Sequence, residues 1–230
     1  MNVRILGTRA KIDASAAKHS NYSGVLLNDE ILLDIGMKKY LEYNPEYIFI
    51  THLHPDHAFF VEEKETTLDI PVYAPEIHEE SSVAVEVIDD EMNVNGYNVT
   101  PIPTHHSKLV ESQAYVVEKN STRLLYTGDI IWIDKKYHDT IMDLDLVITD
   151  GSYYRKGGLV RKDKETGALY GHTGIKDLVS LFKDFTDNIV FTHLGSWFYH
   201  DIDESKQKIR ELSCDKLEVD VAYDGMEINL

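Results

Sequence analysis

Three histidines and one aspartate fall within six consecutive positions of the sequence. Residues 51–60 read THLHPDHAFF, and they directly follow an apolar, β-rich run at residues 47–50. A single histidine at the end of a buried strand can be a core residue that hydrogen-bonds to the backbone. Three imidazoles and a carboxylate in one loop require a shared partner, and a divalent metal ion fits them best.

Three further segments place a histidine or an aspartate just after a β-rich run. They read PTHHS at 103–107, YTGD at 126–129 and FTHLG at 191–195. The repeated pattern indicates that several strands deliver metal ligands to one common edge of a sheet. Histidine nitrogens and carboxylate oxygens, without cysteine, suit Zn²⁺ and also Mn²⁺ or Fe²⁺.

These motifs together resemble the ligand series of the metallo-β-lactamase superfamily. HxHxDH, a later histidine, a Gly-Asp pair and a Thr-His pair occur in the superfamily's order, and the resemblance covers nearly the whole chain. It implies a metal-dependent hydrolase with the fold of a four-layer αββα sandwich and two metal ions at one edge. It also implies one metal bound by His52, His54 and His106, a second bound by Asp56, His57 and His193, and a bridging ligand, Asp129.

Two adjacent histidines compete for one position in this ligand set. His106 precedes Ser107, as in the His-Ser motif of the superfamily, and it is therefore preferred to His105. Other branches of the superfamily differ at two of the remaining positions. Di-iron members usually carry glutamate in place of His54, and β-lactamases usually lack the bridging aspartate, so both residues favour the hydrolase branches that have a bridging carboxylate.

A Gly-His-Thr motif ahead of a predicted helix indicates a general acid. Residues 170–173 read YGHT and resemble a motif of ribonuclease Z, and phosphodiesterases of phosphonate metabolism have a similar histidine. In those relatives it helps to protonate the leaving group, which implies the same role for His172. The alternative is a histidine that orients the helix, for which Thr173 is the predicted N-cap. Asp150 is predicted to orient a ligand imidazole.

The predicted reaction is hydrolysis of a phosphodiester by a hydroxide that bridges the two metal ions, most readily Zn²⁺. Asp56 is expected to bind metal and to orient the proton of the hydroxide, and His172 to protonate the departing alkoxide. The expected substrate is a small or cyclic phosphodiester, or RNA. A thioester, ester or lactone hydrolase of the glyoxalase II kind is the alternative, and it does not need His172. A metal-dependent sensing protein without turnover also stays open.

The composition sets limits on partners and surroundings. The length of 230 residues predicts one domain over residues 1–230. A net charge of −17 disfavours long-range capture of nucleic acid. The single cysteine, Cys214, predicts a reducing, cytoplasmic setting, and no apolar run approaches the ~20 residues of a membrane helix. The resemblance also allows a homodimer, since members of the superfamily are often dimers.

One segment differs from its acidic surroundings. Residues 152–170 read SYYRKGGLVRKDKETGALY and contain the basic residues Arg155, Lys156, Arg161, Lys162 and Lys164. Their glycines suggest a mobile segment. One interpretation is a solvated surface loop, and the other is a lid or arm that recruits an anionic substrate.

The elements that position these residues are predicted to be mostly strands. After a first run at 3–6, β-rich runs occur at 24–28, 31–35, 47–50, 72–74, 97–102, 114–118, 123–126, 146–149, 189–192 and 218–222. Helices are predicted at 175–185 and 205–212 from apolar residues at helical spacing. Many strands and few helices favour two sheets packed face to face and covered by helices, and no glycine-rich phosphate motif supports a nucleotide fold.

Overall fold

The computed structural model describes residues 1–230, whose strands form two large sheets and one hairpin. In chain order the strands are β1 (Asn2–Gly7), β2 (Gly24–Leu27), β3 (Ile31–Leu33), β4 (Tyr47–Phe49), β5 (Val72–Ala74), β6 (Val85–Val87), β7 (Met92–Val94), β8 (Tyr97–His105), β9 (Gln113–Lys119), β10 (Thr122–Tyr126), β11 (Trp132–Ile133), β12 (Leu146–Asp150), β13 (Leu159–Lys162), β14 (Leu169–His172), β15 (Asn188–Thr192), β16 (Glu218–Val221) and β17 (Met226–Asn229). The helices are α1 (Ile175–Phe182) and α2 (Ile202–Arg210), and short 3₁₀ helices span Lys38–Tyr43, Phe59–Val61, Lys135–Ile141 and Ser196–His200.

Each large sheet combines antiparallel and parallel neighbours. The first sheet has the strand order β17-β1-β2-β3-β4-β5-β6, and the second has the order β11-β8-β9-β10-β12-β15-β16, with β7 paired to β8. Strands β3 to β6 run parallel to one another, and so do β10, β12, β15 and β16. The carboxyl ends of each parallel group therefore lie side by side at one edge of its sheet.

Both faces of both sheets are covered by apolar side chains. Val25 and Leu27 of the first sheet share one buried cluster with Leu124 of the second sheet. Their sequence neighbours Leu26 and Leu125 belong to two other clusters, one on each outer face. Because successive residues of a strand point to opposite faces, this alternation shows two sheets packed face to face with a further layer outside each.

The outer layers are helical. Leu178 and Phe182 of α1 and Ile209 of α2 pack on the outer face of the second sheet. Tyr40 and Phe60, from two of the 3₁₀ helices, pack on the outer face of the first sheet. This arrangement confirms the predicted αββα sandwich, with 3₁₀ helices in the layer over the first sheet.

The first predicted helix is shorter than expected and is capped differently. It ends at Phe182 instead of residue 185, and its N-cap residue is Gly174, with no side chain accepting a hydrogen bond there. The predicted capping by Thr173 is therefore wrong. Thr173 instead donates its backbone N–H to the carbonyl of Ile130 at 3.1 Å, which joins the start of the helix to the segment between β10 and β11.

The second helix spans Ile202–Arg210 instead of residues 205–212. The side chain of Asp201 accepts a hydrogen bond from the backbone N–H of Glu204 at 3.0 Å. An aspartate at the N-cap and acidic residues in the first turn stabilise a helix start, and this local signal explains the earlier beginning.

The basic segment contains regular structure. Strands β13 and β14 pair antiparallel from Leu159 opposite His172 to Lys162 opposite Leu169. Most of residues 152–170 are exposed, as expected of a solvated surface segment, but they form a two-stranded hairpin that ends at His172 instead of a loop. The alternative, a lid or arm that recruits an anionic substrate, stays a prediction. No helix of the protein combines the length and the apolar character needed to cross a membrane.

Candidate metal centre

The predicted ligand segments converge at one edge of the sandwich. Residues 51–57 follow β4, His106 follows β8, Asp129 follows β10 and His193 follows β15. β12 lies between β10 and β15 and pairs parallel with both, so Asp129 and His193 follow strands that end at the same edge of the second sheet. The side chains of the cluster are buried, with the exception of the half-buried His54.

Asp129 lies at the centre of this cluster. Its Oδ2 atom is 3.6 Å from Nε2 of His52 and 3.5 Å from Nε2 of His106. Its Oδ1 atom is 3.3 Å from Nε2 of His57 and 3.0 Å from Nδ1 of His193. Each oxygen thus faces two imidazoles, which is the arrangement that a bridging carboxylate needs.

The donor atoms form sets in which all atoms lie within 4.8 Å of one another. The first set consists of His52, His54, His106 and Asp129, and the second consists of Asp56, His57 and His193. The structure therefore brings together every predicted ligand, divided between two sets as the resemblance implies. A further set, which shares two of these residues, consists of Asp129, Asp150, His172 and His193. The role of each residue as a ligand stays a prediction.

The donor set fits a divalent cation. His52 Nε2 and Asp129 Oδ1 are buried atoms without a hydrogen-bond partner, since the approach of His193 to Oδ1 lacks hydrogen-bond geometry. An unsatisfied buried polar atom costs about 1–3 kcal/mol. A metal ion would satisfy an imidazole nitrogen or a carboxylate oxygen, and the two orphaned atoms lie on different sides of Asp129, His52 Nε2 at the first donor set and Oδ1 toward His57 and His193.

The first set is held in the protonation state that binds metal. Burial, reinforced by the neighbouring His57, lowers the pKa of His52 well below its usual value. Burial also lowers the pKa of His106 to about 4 and lowers the pKa of His54. These imidazoles are therefore neutral at pH 7, and the neutral form is the one with a free nitrogen lone pair.

The second set is organised by charge. Burial acts to lower the pKa of His57, but the carboxylates of Asp129 and Asp34 outweigh it and raise the pKa to about 10. Burial acts to raise the pKa of Asp56, but the hydrogen bond from His193 and the charge of His57 lower it to about 2. Positive and negative groups thus hold one another in place, and a cation that binds there displaces protons.

Asp34 is a functional residue that the sequence analysis missed. Its carboxylate is fully buried, and Oδ2 accepts hydrogen bonds from His57 Nδ1 at 2.6 Å and from the hydroxyl of Tyr126 at 2.8 Å. Oδ1 accepts the backbone N–H of Thr51 at 2.7 Å. The sequence feature that could have identified Asp34 is its position directly after the apolar strand Ile31–Leu33 and before the residues Ile-Gly.

Asp150 orients the predicted general acid. The Nδ1–H of His172 donates to Oδ2 of Asp150 at 2.7 Å, which leaves Nε2 of the imidazole free. The His172 ring lies 4.8 Å from the ring of His106 and 5.8 Å from that of His193, measured between centroids. Asp150 Oδ1 is also 3.5 Å from Nδ1 of His193. One buried carboxylate therefore contacts both the predicted acid and a predicted ligand.

Gly171 connects the hairpin to the metal cluster. Its carbonyl accepts a hydrogen bond from Nδ1 of His106 at 3.0 Å, and its N–H donates to the carbonyl of His106 at 2.6 Å. The glycine has a φ of +115°, and a Cβ there would lie 2.0 Å from the carbonyl oxygen of Leu159. Glycine is therefore required at this position, and Nε2 of His106 is left to face the cluster.

His105 lies outside the donor sets. Its ring stacks on Trp132 at 4.3 Å between centroids, and its Nε2 is 3.1 Å from Oδ1 of Asp134. A cleft of about 380 Å³ opens over the cluster instead. Its lining includes His54, Asp56 and His172, with Lys11 and Tyr153 at its sides.

The sequence and the structure have known relatives. Residues 39–194 match the family model described as the β-lactamase superfamily domain, which is more than half of the chain. The fold and the site define a metal-dependent hydrolase, and the chain belongs to the β-lactamase superfamily. The predicted membership is thus confirmed. No curated protein matches the sequence.

Several solved structures share the fold over almost their full length. The metallo-β-lactamase fold protein YhfI from Bacillus subtilis has a TM-score of 0.70 and 17% identity, covering 99% of this chain and 98% of that one. A diphosphatase from the PhnP family has a TM-score of 0.69 and 14% identity, covering 100% and 97%. Human tRNase Z, short form, has a TM-score of 0.64 and 17% identity, covering 100% and 99%. At these identities the likeness shows the fold.

Proposed function

We propose that the protein hydrolyses phosphodiesters, with two divalent metal ions, preferably Zn²⁺, bound at the cluster. The observation that carries this proposal is the pair formed by Asp150 and His172 beside the donor sets. The residues that would hold the metals are His52, His54, Asp56, His57, His106, Asp129 and His193. When bound, such ions provide Lewis acidity and allow a water molecule to ionise near neutral pH.

The chain's own residues position the reactants. The Gly171 carbonyl fixes the imidazole of His106 through Nδ1, and Asp34 fixes His57 in the same way. These hydrogen bonds direct the Nε2 atoms toward the cluster. Asp56 lines the cleft, where its carboxylate can orient the proton of the attacking water.

His172 supplies the proton that the leaving group needs. Burial acts to lower the pKa of His172, but the charges of Asp150 and then Asp129 outweigh it and raise the pKa above the usual value. Asp150 fixes the ring with Nε2 free, as a carboxylate does for a catalytic histidine. A departing alkoxide requires this proton, whereas a thiolate does not. The oriented acid therefore favours a phosphodiester over a thioester.

Two of the similar structures support a phosphoryl substrate by their names, one a diphosphatase and the other a tRNase. A small or cyclic phosphodiester and a short RNA both meet the requirement for an alkoxide leaving group. The cleft of about 380 Å³ above the cluster is large enough for a scissile phosphate with its flanking groups.

The decisive experiment compares two phosphodiesters that differ in leaving group. Metal-depleted protein is reloaded with zinc or manganese and assayed with bis(p-nitrophenyl) phosphate and with a dinucleoside monophosphate, beside a thioester and a lactone. His172→Ala should lower kcat/KM for the dinucleotide by about 10²–10⁴-fold. The loss should be much smaller for the nitrophenyl ester, because p-nitrophenolate departs without protonation.

The matched control is His105→Ala, which removes an adjacent imidazole that lies outside the donor sets. It should leave both diesterase activities unchanged. Turnover of the thioester or the lactone alone, with no dependence on His172, would contradict the proposal and favour a hydrolase of the glyoxalase II kind.

A further inference from the structure

The hairpin formed by β13 and β14, whose last residue His172 lines the cleft, carries positive charge that no ion pair neutralises. Its ion pair joins Asp163 to Lys108 at 3.1 Å, and none of its own basic side chains takes part in an ion pair. These exposed basic residues, with those just before β13, are Arg155, Lys156, Arg161, Lys162 and Lys164. The chain has a net charge of −17, so a cluster of cations without ion pairs distinguishes this segment from the rest of the surface.

The strand register places one of these cations on the same face as His172. Leu159 lies opposite His172, and Arg161 lies opposite Tyr170. Directly opposed residues share a face of a hairpin, and so do residues two positions apart on one strand. Arg161 and Tyr170 therefore share the face of His172, one pair of residues farther out, which is a step of about 7 Å.

Lys108, which is paired with Asp163, lies next to Tyr170. Nζ of Lys108 is 5.2 Å from the centre of the Tyr170 ring. Asp163 does not neutralise Arg161, because its carboxylate is bound by Lys108 and by the backbone N–H groups of Glu165 and Thr166, each at 2.9 Å. Arg161 is thus left as the free guanidinium of this face.

The hairpin is also fixed relative to the cluster. The two hydrogen bonds between Gly171 and His106 attach β14 to a predicted ligand. A group bound at Arg161 is therefore held at a set position relative to the scissile bond. Since His172 protonates the leaving oxygen, the hairpin face beyond it lies on the leaving-group side of the substrate.

We infer that Arg161, with Tyr170 opposite it on the hairpin, binds an anionic group on the leaving half of the substrate. The preferred substrates are then phosphodiesters whose leaving group carries a further phosphate, as in a terminally phosphorylated dinucleotide or a short oligonucleotide. The planar guanidinium suits a phosphate because it donates two parallel hydrogen bonds. This inference rests on the proposed phosphodiesterase function and on the assigned role of His172.

The test compares dinucleotides with and without a terminal phosphate. kcat/KM is measured at low ionic strength for adenylyl-adenosine and for its 5′- and 3′-phosphorylated forms. The phosphate on the leaving half should raise kcat/KM by about tenfold, the effect expected of a charge-assisted pair. Arg161→Gln should abolish this gain through KM, Arg161→Lys should keep part of it, and added salt should diminish it.

Two controls isolate the effect of Arg161. Hydrolysis of bis(p-nitrophenyl) phosphate, which has no further anionic group, should fall far less in Arg161→Gln than hydrolysis of the phosphorylated dinucleotide does. Lys216→Gln, which removes an exposed cation from the turn before β16, should keep the full gain. An equal gain in the wild type and in Arg161→Gln, or no gain from either phosphate, would overturn the inference.

A binding measurement separates this inference from the proposed function. Fluorescence anisotropy follows a labelled, terminally phosphorylated dinucleotide bound to the wild type and to Arg161→Gln. Absence of all diester turnover, together with binding that depends on Arg161, would reject the phosphodiesterase and retain the anionic subsite. Binding that does not depend on Arg161, or no binding, would reject the subsite as well.

Discussion

Asp34 Oδ2 lies 2.6 Å from Nδ1 of His57, while the other ring nitrogen of His57 faces Asp129 at 3.3 Å. The imidazole is thus held between two buried carboxylates, one outside the donor sets and one at their centre. Asp34 itself is fixed by Thr51 and Tyr126. The position of a predicted metal ligand is therefore set by a network that does not touch the cleft.

Replacing Asp34 by asparagine should weaken metal binding at the second donor set. The substitution keeps the size of the side chain but removes the charge that accepts the His57 hydrogen bond. Loss of such an outer carboxylate typically lowers metal affinity by about 10–100-fold. Competition with a chelator measures the affinity. Circular dichroism checks that the variant is folded, and Asp187→Asn, at an exposed site, is the control. Equal affinities in the wild type and in Asp34→Asn would refute this role.

Gly171→Ala should disturb the hairpin and the His172 acid together. The new Cβ would meet the Leu159 carbonyl at 2.0 Å, so the strands must separate. We expect a loss of about 1–3 kcal/mol in the free energy of unfolding, and a fall of about 100-fold in kcat for a diester with an alkoxide leaving group.

Gly167→Ala provides the matched comparison for this prediction. Gly167 also has a positive φ, of +76°, but its nearest neighbour would be a flexible lysine side chain at 3.7 Å. The Gly167→Ala variant should therefore lose free energy of unfolding only because alanine disfavours this backbone conformation, and its kcat should be unchanged. If both variants lose activity equally, Gly171 has no special link to the site.

His19 should make the protein less stable in mild acid. It is buried, its Nδ1 is 3.2 Å from the hydroxyl of Thr8, and its Nε2 has no partner. Burial, with a contribution from Lys206, lowers its pKa to about 4. The unfolded chain therefore takes up a proton below pH 6.5 that the folded protein resists. The stabilisation is complete above pH 6.5 and is lost as the pH falls toward 4.

Urea unfolding of metal-depleted protein between pH 7 and pH 5 measures this effect. The free energy of unfolding should fall more steeply for the wild type than for His19→Gln, whose side chain does not titrate. The difference between the two slopes is the informative quantity, because the other titrating groups are common to both proteins. Parallel curves would show that His19 does not bind the proton differently in the two states.

The sequence predicts the metal-ligand residues of the site far better than it predicts the residues that position them. The predicted ligands lie in short motifs, where residue type and spacing carry the information. Asp34 is 23 positions from His57, and its role depends on tertiary packing that no local pattern encodes. Asp150 was recognised because Asp150-Gly151-Ser152 stands where relatives have a short acidic motif ahead of this histidine. Its proximity to His193 follows from the parallel pairing of β12 with β15, whereas its contact with His172 joins it to the end of the separate hairpin.

The secondary structure was missed where local signals were weak or were overlooked. The hairpin at 159–172 is polar and rich in glycine, and it lacks the alternation of a half-buried strand. It also contacts His106 and Lys108, which lie more than 50 positions away in the sequence. The start of α2 did have a local signal, since Asp201 is followed by Glu204 three positions later. The long apolar strands and the sandwich itself were predicted because burial on both faces leaves a strong pattern.

The donor sets draw on both sheets of the sandwich, since His52 and Asp56 follow β4 of the first sheet and Asp129 and His193 follow strands of the second. A metal ion bound there acts as a cross-link between the two sheets, joining segments that are far apart in sequence. A chain with a single cysteine cannot form such a link through a disulfide within itself. Metal bound at the candidate site would then stabilise the folded protein in addition to supporting catalysis. The supply of metal would therefore set the lifetime of the folded protein as well as its catalytic rate.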